Sequence, residues 1–239
     1  MRRLIITLIL LLTFSLFVTA QEEPVEEALP EIVPEDVMTR GEDQLRLRAD
    51  FYLVNPDRPT VILLHQLYTT RASWADVIPV LVGNGYNVLV PDIRGYGATR
   101  GALNWGKAVN DVGAWFTFLR TEVGVRGDAI STMGSSMGST LAIVGCANDE
   151  FCRTSIALSP GWDYYNISLA DSIAVKPTFV IYAERDRYPA LGIDKMREAA
   201  PDNMQVHIYE GNAHGMNMLR AEFETAMPLM MEWLAAHGG

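Results

Sequence analysis

The feature that most restricts the fold is a run with no polar face, Thr60-Val61-Ile62-Leu63-Leu64. A strand with one wet face alternates apolar and polar side chains. An unbroken apolar run belongs instead to a strand covered on both faces, the situation of parallel strands between helices. Asn87-Val88-Leu89-Val90, Arg153 to Leu158 and Thr178 to Ala183 have the same character. Helical patterns separate them. Ser73 is placed to cap a helix carrying Trp74, Val77, Ile78 and Leu81 on one face, and Trp105 to Glu122 places Val109, Val112, Phe116 and Leu119 at helical spacing. Ile193 to Ala199 and a final helix ending at His237, kinked at Pro228, complete the set. Alternation of this kind, with right-handed crossovers, predicts an α/β fold: a mostly parallel twisted sheet with helices on both faces. Asp43 to Val54 alternates moderately and is expected as an antiparallel ribbon at the sheet edge. Pro177 follows Pro160 by only 17 positions, which leaves no room there for a cap domain.

The N-terminus reads differently from the rest. Met1-Arg2-Arg3 is basic, Leu4 to Val18 is almost wholly apolar, and Val18-Thr19-Ala20 supplies small residues, the layout of a signal peptide cleaved after Ala20. About fifteen apolar residues fall short of the roughly 20 needed to span a bilayer, so no stable anchor is expected after cleavage. An uncleaved anchor is the rival reading. Residues 21–42 are acidic and contain Pro24, Pro30 and Pro34, a composition that predicts a disordered leader before a catalytic domain at 43–239. Loss of Arg2 and Arg3 would take the net charge from −10 to −12, which disfavours nucleic-acid binding. Export to a periplasmic or extracellular space would let Cys146 and Cys152 pair; two buried thiols is the alternative.

Chemistry enters at Gly134-Ser135-Ser136-Met137-Gly138, between the strand-like Asp128 to Met133 and the helix-like Ser139 to Val144. Strand, G-x-S-x-G and helix in that order form a nucleophile elbow, a turn so sharp that the positions two before and two after the serine must lack bulk. Gly134 and Gly138 flank Ser136 in that way. Ser135 would be flanked by Met133 and Met137, so it is expected to be a bystander.

In an open parallel sheet, ligands bind at the carboxyl ends of the strands. His65, Gln66, Asp92, Ser136, Asp163, Asp186 and His214 all fall at such ends. A serine hydroxyl needs an imidazole to take its proton. His237 is at the terminus, His207 lies within a strand and His65 sits where a backbone turn is wanted. His214, in the loop Gly211-Asn212-Ala213-His214, is left to reach Ser136.

With Leu63-Leu64-His65, Asp92-Ile93-Arg94-Gly95-Tyr96-Gly97, Ala183-Glu184-Arg185-Asp186 and the elbow in this order, the chain from about Gln44 onward resembles the α/β-hydrolase family. Its length and missing cap are similar to the compact serine esterases and the dienelactone-hydrolase-like branch, whose usual nucleophile is cysteine where Ser136 stands here. The resemblance implies the chain order nucleophile, acid, histidine: Ser136, Asp186, His214. Asp163, after the preceding strand, is the alternative acid. It also implies an oxyanion hole made by the backbone N–H groups of Met137 and Leu67, with Gln66 as the less favoured donor. Gln66 departs from the family, which usually has glycine after that histidine. Asp92 and Arg94 match a loop that is structural in the family.

The expected activity is hydrolysis of a small-molecule carboxylic ester through an acyl-enzyme. A serine peptidase or amidase on the same fold, and a non-catalytic binding protein that keeps it, are the alternatives. Tyr68, Trp162, Tyr164, Tyr188 and Met216 lie in loops on the active edge and are candidates to line a substrate pocket. No cluster with metal-ligand spacing and no glycine-rich phosphate loop occurs, so neither metal nor cofactor is expected. Oligomeric state has no signature in the sequence.

Overall fold

All positions of β3 (Thr60–Leu64) are buried, as are all positions of β4 (Asn87–Pro91), in a computed structural model that describes residues 32–239. The two sides of β3 feed separate cores. Val61 and Leu63 pack with Trp74, Leu81, Leu219 and Trp233, while Ile62 and Leu64 pack with Trp115, Phe116, Met137 and Leu141. That division explains why the run has no polar face.

The described strands are β1 (Glu35–Arg40), β2 (Arg46–Tyr52), β3, β4, β5 (Ile130–Ser135), β6 (Cys152–Leu158), β9 (Thr178–Ala183) and β10 (Met204–Tyr209) in the main sheet, with β7 (Asp163–Tyr164) and β8 (Ile167–Ser168) as a separate hairpin. The main sheet runs β1-β2-β4-β3-β5-β6-β9-β10. Only β1–β2 and β2–β4 pair antiparallel; the rest of the sheet is parallel. The helices are α1 (Ile78–Gly83), α2 (Trp105–Phe118), α3 (Met137–Ala147), α4 (Arg187–Ala199), α5 (Met216–Ala221) and α6 (Phe223–His237). Helices α5 and α6 supply one face of the sheet, α2 and α3 the other. Among the described residues there is no cap domain; the segment between β6 and β9 holds only the β7–β8 hairpin.

Several sequence expectations need correction. The domain begins before residue 43: Glu35–Arg40, assigned by composition to a disordered leader, form β1 and pair along their length with β2. Val37 is buried there against Leu47 and Phe51 of β2, and Asp36 forms an ion pair with Arg48 of the same strand. The expected signal peptide at 1–20 and the first part of the expected leader lie outside the described residues. Ser73 does not cap a helix. It sits inside a 3-10 turn, Arg71–Trp74, and α1 starts five residues later with Pro79 in its first turn, where a missing N–H costs nothing. The last helix is interrupted at Glu222, ahead of Pro228, which lies within α6.

Cys146, near the end of α3, is joined to Cys152, the first residue of β6, by a disulfide. Closing so short a loop removes little denatured-state entropy, so exchanging both cysteines for serine should lower stability by only about 2 kcal/mol. For a domain of this size that is a fall in Tm of roughly 4–8 °C. Calorimetry of the double variant checks this; a melting point equal to wild type would mean the bridge contributes nothing.

Candidate active site

Helix α3 starts immediately after β5, and Ser136 is the joint between them, with φ 52° and ψ −115°. A non-glycine residue in that region of backbone space is strained, and surrounding structure must hold it there. The glycines are part of that structure. A Cβ on Gly134 would overlap the carbonyl oxygen of Gly138, and a Cβ on Gly138 would overlap the carbonyl oxygens of Leu64 and His65. The elbow is thus packed hard against the end of β3.

His214 lies in the loop between β10 and α5, and Asp186 in the turn between β9 and α4. The Ser136 hydroxyl is 2.7 Å from His214 Nε2, and His214 Nδ1 is 2.7 Å from Asp186 Oδ2. A carboxylate can only accept, so Nδ1 carries the proton and Nε2 is the acceptor for the serine hydroxyl. Asp186 is buried, and although it stands at the N-cap of α4 its side chain caps nothing; the carboxylate is committed to His214. Asp163, the alternative acid, is exposed on β7 and makes no hydrogen bond to His214. The other histidines are elsewhere: His207 stacks edge-on with Tyr209 in β10, and His237 stacks on Trp233 at the end of α6.

His65 is fully buried and has a structural task. Its Nε2 accepts the N–H of Ile93 at 3.0 Å, so its Nδ1 is the protonated nitrogen and donates to the carbonyl of Gln66 at 2.9 Å. Burial pushes the His65 pKa down and keeps the ring neutral, as those two bonds require. Asp92 braces the next loop, accepting the N–H groups of Arg71 and Ala98. Arg94 forks onto Asp111 with two contacts of 2.6 Å and reaches Asp43 at 3.1 Å. Hydrogen bonds from Arg94 and Lys107 hold the Asp43 carboxyl well below the usual carboxylate range. These residues tie β1, β2 and α2 to the loop after β4 and do not enter the site. Glu184 is solvent-exposed and paired with Arg185.

Above Ser136 is an open cleft of about 230 Å³ lined by Gln66, Leu67, Tyr68, Ser136, Tyr164, Tyr188 and His214. Tyr68, Tyr164 and Tyr188 therefore fall where the sequence reading put them. Two candidates do not. Met216 opens α5 and is buried in the core beneath that helix, because Gly215, at φ 55°, turns the chain inward directly after His214. Trp162 packs against Gly192 of α4 and holds the hairpin down. Tyr165 stacks on Trp105 with ring centroids 4.8 Å apart, and Tyr164 meets Trp105 edge-on. Burial and the phenols of Tyr165 and Tyr188 push the Tyr164 pKa up, so it stays a neutral hydroxyl. The N–H groups of Leu67 and Met137 have no acceptor among the described hydrogen bonds. Among the described residues no group of His, Cys, Asp and Glu side chains is arranged to hold a metal ion.

Sequence reasoning missed the polar contacts beneath the site. Ser135 is not a bystander: its buried hydroxyl donates to Gln66 Oε1 at 3.0 Å. Ser159, at φ 55°, accepts the Gly215 N–H at 2.8 Å. The available signal was Gln66 itself, a long polar side chain where related loops have glycine.

Residues 59–160 match the family model described as the alpha/beta hydrolase fold. The chain is 30% identical over 125 residues to a thiohydrolase, aneE, of Aspergillus aculeatus, a match covering 49% of this chain and 39% of that protein. It spans well under half the length of that relative. Among solved structures, it superposes on the esterase Pf2001 of Pyrococcus furiosus with a TM-score of 0.76 at 24% identity, covering 87% of this chain and 94% of that one. The alpha/beta hydrolase GrgF of Penicillium sp. sh18 gives a TM-score of 0.78 at 15% identity, over 86% and 99% of the two chains. Strand order, elbow and these matches agree: the chain is a protein of the α/β-hydrolase fold.

Proposed function

We propose that the protein is an exported serine hydrolase that cleaves carboxylic esters through Ser136, His214 and Asp186. The observation that carries this reading is the unbroken chain of two 2.7 Å hydrogen bonds from Ser136 through His214 to Asp186, at the mouth of an open cleft. In this mechanism His214 Nε2 takes the hydroxyl proton as Ser136 Oγ attacks the ester carbonyl, and Asp186 stabilises the imidazolium that forms. The oxyanion is met by the N–H groups of Met137 and Leu67. Met137 is the first residue of α3, so the helix dipole favours negative charge at its N–H. His214 then returns the proton to the leaving alkoxide. Water, deprotonated by the same nitrogen, attacks the acyl-enzyme and frees Ser136. The His214 side chain is 30% exposed, which gives that water a path.

Apart from His214 no lining side chain of the cleft is ionisable near neutral pH, which favours a neutral substrate over a carboxylate- or phosphate-bearing one. The 30% identity to a protein named as a thiohydrolase favours a thioester as the second substrate class; the same acylation step serves both. A disulfide between Cys146 and Cys152 supports the exported location. The test is a panel of p-nitrophenyl esters and acyl thioesters of increasing chain length, with an anilide control. Turnover of short neutral esters is expected, and activity confined to the anilide would replace the esterase reading by an amidase one.

A further inference from the structure

Gln66 is the most heavily used polar residue around the site, and it serves the backbone as well as the side chains. Its carbonyl accepts from His65 Nδ1 at 2.9 Å and from the Thr69 hydroxyl at 2.8 Å, which clamps the loop after β3 from both sides. Its side-chain Oε1 accepts from the Ser135 hydroxyl at 3.0 Å and from the Met216 N–H at 3.0 Å. The orientation of the amide is fixed by chemistry: a backbone N–H can only donate, so the atom facing Met216 must be the oxygen. Ser135 precedes the nucleophile by one residue, and Met216 follows His214 by two. A single carboxamide oxygen therefore connects the segments that carry both members of the Ser136–His214 pair.

The link lies in a tightly packed seam. A Cβ on Gly215 would meet Gln66 Oε1 and Ser135 Oγ at 2.5 Å, so the histidine loop passes directly over this contact. Asp186 orients the imidazole but does not set how far its loop stands from the elbow. That distance is held by Gln66 Oε1 on Met216 and by Ser159 Oγ on Gly215.

We propose that Gln66 is a positioning residue that sets the Ser136–His214 distance through Oε1. The proposal rests on the serine-hydrolase reading above. Proton transfer from Ser136 is sensitive to that distance, since a shift of about 1 Å in such a pair can cost on the order of 100-fold. Leucine at 66 keeps comparable bulk and removes the acceptor. Glutamate keeps an acceptor for both donors and adds a negative charge beside the histidine loop, which favours the imidazolium and moves the acid limb of the pH profile upward.

The experiment measures the second-order rate of covalent labelling by a fluorophosphonate from pH 5 to 9, with Tm recorded for each protein; this readout needs no knowledge of the natural substrate. Gln66→Leu is expected to label about 10- to 100-fold more slowly than wild type while still folding. Gln66→Glu is expected to recover most of the rate, with its acid limb displaced upward. A merely structural role would lower the Tm of Gln66→Leu and leave the labelling rate of the folded protein unchanged, and that result would overturn the proposal. So would a Gln66→Glu protein as slow as Gln66→Leu. Should the leucine variant fail to fold, Gln66→Glu alone decides, because an undisplaced acid limb would also overturn it. Wild-type protein that takes up no probe would instead sink the serine-hydrolase reading, and this proposal with it.

Discussion

Ser136→Ala should lower kcat for every substrate of this protein by about 10⁵- to 10⁶-fold, the scale seen when the nucleophile of a serine triad is removed. The fold should survive, because alanine occupies the same backbone conformation with one atom fewer. Ser136→Gly should be equally inactive and, in addition, more stable. At φ 52° and ψ −115° the serine is strained by about 1–3 kcal/mol, a cost that glycine does not carry. Glycine's extra freedom in the unfolded chain offsets about 0.5–1 kcal/mol of that gain. The net expectation is a Tm higher than wild type by a few degrees, roughly 2–4 °C per kcal/mol. Kinetics and calorimetry on the two variants test separate claims. Wild-type turnover in Ser136→Ala would remove the nucleophile assignment. A Ser136→Gly protein that melts below wild type would show that the elbow stores no strain.

Asp186→Asn should reduce kcat by about 10⁴-fold, while Asp163→Asn should leave it close to wild type. An asparagine at 186 retains the size and the N-cap position at α4, so the loss would be electronic: no carboxylate fixes the Nδ1–H tautomer of His214 or stabilises its imidazolium. Asp163 is exposed and paired only within the β7–β8 hairpin, so its charge is solvated and spent on nothing in the cleft. The pair of variants therefore discriminates between two acids that differ by 23 positions in sequence and are separated in function by a single 2.7 Å hydrogen bond. A near-normal rate for Asp186→Asn would sink the assignment.

The sequence by itself determined the layer architecture and singled out the residues proposed here to react. Runs such as Thr60–Leu64 call for burial on both faces, and their alternation with helical segments turns that into a mostly parallel sheet with helices on each side. The requirement for small residues on either side of a strained serine singled out Ser136, and the strand-end rule left His214 within reach of it. These readings depend only on residue type and order, which the chain carries locally.

Direction and distance were decided by tertiary structure. Whether Met216 lines the cleft or the core depends on the backbone turn at Gly215, and whether Trp162 faces substrate depends on its seat against Gly192 of α4. Gly192 lies 30 positions from Trp162, and the turn at Gly215, though next to Met216, is packed against Gln66 and Ser135 from distant parts of the chain. Residues 21–42 taken together looked too acidic to order, because the arginine that pairs with Asp36 and the apolar side chains that cover Val37 belong to the next strand. Gln66 and Ser135 lie 69 positions apart, and Gln66 and Met216 lie 150 apart. A hydrogen bond at such separations exists only once the sheet has brought three loops to one edge, so its role could be drawn from the folded chain alone.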